Sequence, residues 1–157
     1  MNQPRKQTDP VTEKAIIPVT VYQINEKLVD DVRFEDQNYE TISIMGRLEE
    51  FNKKDKFAAL RFCDGTGQIE GRIYILDGKM SSFAEHIDFE SKLNQYFFVV
   101  LKPRFSEEGK KFIIVGIKEV EQNYNQISKH YCDVILSYLI RYKNWFNELN
   151  RLMIYNN

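Results

Sequence analysis

Nucleophilic chemistry needs a Ser or Cys within reach of an oriented base. The chain offers two cysteines, Cys63 and Cys132, and two histidines, His86 and His130. Cys63 closes an alternating apolar segment, and no spacing gives either histidine a partner, so the expectation is a buried thiol and surface imidazoles. The glycines of Asp64-Gly65-Thr66-Gly67 make no phosphate loop, because no Lys-Ser or Lys-Thr follows them. Two cysteines form neither a disulfide framework nor a four-cysteine zinc site. No enzyme, no metal, no cofactor and no small-molecule substrate are expected.

A different chemistry is carried by alternate positions. In a half-buried strand successive side chains face opposite sides. Residues Gln68–Ile75 set Ile69, Gly71, Ile73 and Ile75 on one side and Gln68, Glu70, Arg72 and Tyr74 on the other. Lys56–Cys63 does the same with Ala58, Leu60 and Phe62 against Phe57, Ala59 and Arg61. Between Glu40 and Phe51, Ile42, Ile44, Gly46 and Leu48 oppose a wetter set of Thr41, Ser43, Met45, Arg47 and Glu49. The outward sides therefore present Arg47, Arg61, Arg72 and Tyr74. Lys53, Lys54 and Lys56 fill one adjoining loop, while Lys102, Arg104 and Phe105 begin another. Cations along a track, with flat rings beside them, are what single-stranded nucleic acid requires. Taken singly, each residue has a plainer explanation, since Tyr is common in strands and loop lysines are usually solvated. The set on one face is what points to a ligand.

The elements that must position this set follow from length and pattern. A chain of 157 residues is about one domain. Its 43% hydrophobic and 29% charged residues are ordinary for a globular protein, and Phe, Tyr and Trp supply core volume. With 22 Lys and Arg against 23 Asp and Glu the net charge is −1, which excludes a generally basic coat. No apolar run reaches the roughly 18–20 residues that cross a bilayer, and the start lacks a secretory apolar stretch, so no membrane partner and an intracellular site are expected.

Residues 1–14 read as a disordered polar tail, 15–122 as the β domain and 123–155 as a helix without Gly or Pro. Ser81–Leu93, with Phe83 and Ile87 among charges, reads as a short helix plugging one end of the sheet. Tyr96–Lys102 and Lys110–Val120 read as two further strands, buried on both sides and separated by a Pro103–Gly109 segment that forbids continuous pairing. Three strands, a short helix and two strands form an all-β barrel with helices, the layout of the five-stranded OB-fold, a Greek-key barrel. In the terminal helix Ile127, Tyr131, Val134, Tyr138, Tyr142, Trp145, Leu149 and Leu152 step by three or four, widened by Ile135, Leu139, Phe146 and Met153. Such a rod outruns a small barrel, so most of its stripe is expected to meet partner helices.

The run Ile16-Ile17-Pro18-Val19-Thr20-Val21-Tyr22-Gln23-Ile24, the strand end Ile44-Met45-Gly46-Arg47-Leu48, and the turn Cys63-Asp64-Gly65-Thr66-Gly67 followed by Ile69 and Arg72 carry a resemblance. In that order they resemble the middle subunit of replication protein A, the eukaryotic single-stranded-DNA-binding heterotrimer, over roughly Ile16 to Lys143. The resemblance implies that Tyr74 and Phe105 hold base-stacking positions. It implies that Ile127, Tyr131, Val134, Ile135, Tyr138, Leu139 and Tyr142 join a helix bundle with large and small OB-fold subunits. Trp145 enters by spacing alone. It further implies a nuclear role in DNA replication, repair and recombination, while the near-neutral net charge implies weak DNA contact from this subunit alone. Family members usually have a longer Ser-rich tail and a C-terminal winged-helix domain. The same architecture serves Stn1-like telomere-capping and telomerase-associated subunits, and an assembly-only module that leaves DNA untouched is the remaining alternative.

Overall fold

The computed structural model describes residues 16–30, 41–106, 108–121 and 124–155. The tail expected at 1–14 lies outside them. A two-residue strand, β1 (Ile17–Pro18), pairs in parallel with the start of β2 (Ile42–Lys53) and leads into α1 (Val21–Asp30). Then β2, β3 (Phe57–Cys63) and β4 (Gln68–Leu76) form the expected antiparallel meander, extended by the short β5 (Lys79–Met80). The chain returns as β6 (Tyr96–Ser106) and β7 (Gly109–Glu119) before α2 (Tyr124–Tyr155).

Closure comes from two pairings that skip along the sequence. β7 runs parallel to β4 through Gly71↔Phe112 and Arg72↔Ile113, and β6 returns to β2 from Ile42↔Leu101 to Arg47↔Tyr96. The cycle β2-β3-β4-β7-β6-β2 is the five-stranded Greek-key barrel. Where β4 meets β7 the packed core side chains leave no room for another. A methyl group on Gly71 would lie 2.7 Å from Ile114 Cγ1 and 3.2 Å from Leu101 Cδ2, so only the bare α-carbon fits.

The inward parity is the one expected: Ile42, Ile44, Leu48, Ala58, Leu60, Phe62, Ile69 and Ile73 are buried together with Phe97, Val99, Leu101, Phe112 and Ile114. The 81–95 connection plugs one end, but as successive turns rather than a short α-helix. Ser81 does open it, its carbonyl accepting from the amides of Ala84 and Glu85 at 2.9 and 3.1 Å. The plug itself is Ala84 and Phe89, with Phe83 and Ile87 partly buried; the Phe89 ring stacks on Phe51 at 5.3 Å and leans on Phe97 at 6.0 Å.

Four further expectations are corrected. Ile16–Ile24 lies in the stretch read as β-rich, yet Val21 starts a helix. Thr20 caps it, its hydroxyl accepting from the Gln23 amide at 3.2 Å while the Gln23 side chain accepts from the Thr20 amide at 2.9 Å. The wetter side of β2 is not wet at Ser43 and Met45, which are buried where α2 packs on β2 and on β1 at its edge. Pro103 does not end pairing: β6 continues against β7 through Pro103↔Phe112 to Ser106↔Gly109. Beyond Leu101 β6 has left β2, so among the described residues Pro103, which has no N–H, faces no second strand. Finally, β6 and β7 are not covered on both sides; Phe97, Val99 and Leu101 are buried, whereas Val115 is exposed.

Candidate functional site

Strand register decides which of the expected ligand-binding residues meet. On the outer face Phe57 stands opposite Tyr74, Ala59 opposite Arg72, and Arg61 opposite Glu70. The row continues sideways from Arg72 to Ile113, from Ile113 to Lys102, and from Lys111 to Arg104. Lys54, Arg61, Arg72, Tyr74, Lys102 and Arg104 therefore share one side of the barrel. Tyr74 is 52% exposed, so its ring is available to a ligand. Lys53, Lys54 and Lys56 are exposed around the β2–β3 turn, which the Lys54 amide closes on the Phe57 carbonyl at 2.9 Å. Phe105 pairs with Lys110 near the β6–β7 turn; its side chain lies outside the described residues. Arg47 lies at the far end of the row: it pairs with Cys63, two residues along β3 from Arg61 but six, and thus about 20 Å, from Phe57.

Each meander arginine already has a carboxylate. Arg47 pairs with Glu49 at 2.8 Å, Arg61 with Glu50 at 2.7 Å, and Arg72 with Glu70 at 3.1 Å. The Glu49 hydrogen bond raises the Arg47 pKa above its ordinary value against an opposing desolvation, and Arg47 Nε is buried without a hydrogen-bond partner among the described residues. Such exposed pairs add little stability, but they offset positive charge where phosphate would pass. Lys53, Lys54 and Lys56 make no ion pair among the described residues and are the cations most open to phosphate. On the opposite loop Lys111 bonds Glu108, whose pKa that hydrogen bond lowers.

Phe57 belongs to this face although only its parity in the strand marked it in the sequence. The Arg72 guanidinium carbon lies 4.6 Å from its ring centroid and Lys54 Nζ 5.2 Å, so two cations are held over one ring. Beside it is a recess of about 140 Å³ lined by Glu50, Asn52, Lys54, Ala59, Arg61 and Glu70. Its floor is Ala59, the small residue between Phe57 and Arg61. A signal existed in the sequence: Phe57 shares the parity of Ala59 and Arg61. Its importance depends on a cross-strand neighbour seventeen positions away.

The turn Asp64–Gly67 is a structural clasp rather than a ligand loop. Asp64 Oδ2 accepts from the Val21 amide at 2.8 Å, and Asp64 Oδ1 accepts from the Thr66 amide and hydroxyl at 2.8 and 2.7 Å. Thr66 Oγ1 accepts in turn from the Tyr22 amide at 3.0 Å. A carboxylate at the start of α1 satisfies amides that have no partner inside the helix.

Along α2 the expected seam divides. Val134 and His130 are buried and Ile127 and Tyr131 half-buried, with the helix packed on β1 and β2. These residues are taken up by the chain's own barrel, so the free surface is narrower at Ile127, Tyr131 and Val134 than spacing predicted. His130 is not a surface imidazole. Burial depresses its pKa, while its contact with the Val19 carbonyl at 3.4 Å and the charge of Asp133 act in the opposite direction. Ile135, Leu136, Tyr138, Leu139 and Ile140 are instead 42–59% exposed. The side chains of Tyr142 and Trp145 lie outside the described residues. Cys63 is half-buried and Cys132 exposed. Among the described residues no group of three His, Cys, Asp or Glu is placed to hold a metal ion, and no helix is long and apolar enough to cross a membrane.

No family model and no curated protein sequence matches the chain. Solved structures do. A chain of a replication protein A heterotrimer bound to single-stranded DNA superposes with a TM-score of 0.61 at 20% identity, covering 80% of this chain and 96% of that one. Yeast replication protein A bound to single-stranded DNA gives 0.59 at 23% identity over 80% and 90%. A chain of the yeast Stn1 and Ten1 structure gives 0.63 at 13% identity over 88% and 84%. Barrel, order of elements and terminal helix together give this chain the OB-fold found in those single-stranded-DNA-bound and Stn1–Ten1 assemblies.

Proposed function

We propose that this chain is a non-catalytic OB-fold subunit of a heterotrimeric single-stranded-DNA-binding complex, in the position of the middle subunit of replication protein A. The observation that carries the reading is the apolar surface of α2 between Val134 and Ile140. Val134 meets the barrel, Ile135 and Leu139 project from one flank, and Leu136 and Ile140 from another. Successive residues are about 100° apart, so the segment is apolar nearly all round, the pattern of a helix enclosed by others. One partner helix covers one flank. Covering both takes two, supplied by large and small OB-fold subunits.

The outer face supports DNA contact of modest strength. Tyr74 offers a stacking surface and the lysines of the β2–β3 turn meet phosphate, but Glu49, Glu50 and Glu70 hold down the arginines. Affinity of the assembly then comes largely from tethering to stronger modules. Nuclear replication, repair and recombination are the setting this reading implies. A telomere-capping or telomerase-associated role is the second reading, favoured by the superposition on the Stn1–Ten1 chain over 88% of the length.

Fluorescence anisotropy with labelled oligonucleotides tests the DNA contact, comparing the assembled complex with one carrying Tyr74→Ala and Phe105→Ala. Weaker binding supports it. Unchanged affinity and salt dependence support an assembly-only module. Affinity purification from cells separates the two settings, general replication subunits pointing to one and telomerase proteins to the other.

A further inference from the structure

We propose that Phe57 is a second base-stacking residue, placed beside Tyr74 so that the barrel holds two neighbouring bases, with Lys54 and Arg72 moving from its ring to the flanking phosphates when DNA arrives. The inference rests on the single-stranded-DNA reading above and extends it to a residue outside the resemblance. Three observations carry it. Phe57 and Tyr74 are direct cross-strand partners, and such pairs on one face stand about 5 Å apart, close enough for adjacent bases of one strand. Phe57 is half-buried on the outer face, apart from the core cluster, so packing the barrel does not account for it. Two cations lie over its ring, at 4.6 and 5.2 Å.

Those cations are what make the ring a ligand site. A guanidinium and an ammonium lying on an aromatic face occupy the surface that a base would use, and both sit on long stems that swing without disturbing the sheet. A base displacing them gains the ring face, and the displaced charges remain within a side chain's length of the phosphates on either side. Glu70, bonded to Arg72 Nε, keeps that arginine near the site throughout. The recess floored by Ala59 gives the incoming strand room between Phe57 and Arg61.

The test uses the full chain, alone and in the complex with which it purifies, titrated with fluorescein-labelled oligothymidylate. Phe57→Leu keeps an apolar side chain at the site and removes the ring. About tenfold weaker binding is expected, within the range contributed by one stacked base, with an unchanged salt slope because the cations remain. Phe57→Trp should retain binding, and its emission, taken as the difference from wild type, should be quenched on titration. That signal also decides the matter should the Leu variant fold poorly. Wild-type affinity in Phe57→Leu and no quenching in Phe57→Trp, with Tyr74→Ala weakened, would overturn the role of Phe57 and leave the DNA reading standing. Absence of binding by wild type in both forms, or indifference to both substitutions, would overturn both.

Discussion

The Tyr131 hydroxyl on α2 donates to the backbone carbonyl of Asp64, the residue whose carboxylate caps α1. One turn between two strands thus holds both helices. Burial raises the Tyr131 pKa, and the nearby Asp64 charge adds to it, so the phenol stays a donor across the physiological range. Through this pair the barrel sets where the apolar rod of α2 leaves the domain.

Removing the Asp64 side chain leaves the Val21 amide and Thr66 without their acceptor. Asp64→Ala should cost about 1–3 kcal/mol, the loss of a cap and of buried hydrogen bonds. For a domain of this size that is a fall in Tm of roughly 3–10 °C, measured by calorimetry. Tyr131→Phe removes one hydrogen bond and should cost about 1 kcal/mol. A stable Asp64→Ala variant would deny the clasp its role.

His130 makes the docking of α2 pH-dependent. Its folded pKa lies below the ordinary value near 6.5, because burial disfavours the charged ring. The unfolded chain therefore binds more protons in the window below about 6.5, and stability falls as pH drops through it. Around the ring stand Lys129, Asp133, Asp64 and Lys118, beside Met45 and Phe98. Thermal melts between about pH 7 and pH 5 should show a declining Tm in wild type and a flatter profile in His130→Gln. Equal slopes would show that other groups carry the acid sensitivity.

Alternation in β2, β3 and β4 was legible because each inward position is apolar, although in β3 only Arg61 marks the outward side as polar. What escaped was tertiary. Ser43 and Met45 are covered by an element more than eighty residues away, and Pro103 stays in register only because β6 has already parted from β2. The β-branched run at Ile16–Val21 masks the start of α1, although Thr20 and Gln23 are spaced as a capping box. At the candidate site cations could be counted from sequence, and Glu70 shares the parity of Arg72, but the Arg61–Glu50 and Phe57–Tyr74 pairings required strand register.

The Arg61–Glu50 pair predicts a gain of affinity. Glu50→Gln releases Arg61 for phosphate. Binding to single-stranded DNA at low salt should tighten several-fold, and the log–log salt slope should steepen by about 0.7 for each added phosphate contact. Anisotropy across a salt series measures both. An unaltered slope would mean that DNA does not cross this face.

The most direct measurement of the central claim concerns α2. Leu136→Asp with Leu139→Asp places charge on both free flanks and leaves Val134, His130 and Tyr131 on the barrel. Tagged wild-type chain, purified from its own cells, should bring two OB-fold subunits in equal amounts, as read by mass spectrometry and light scattering. The double variant should bring neither while its barrel melts at the wild-type temperature. Recovery of wild type as a lone monomer, or retention of both subunits by the variant, would contradict the account.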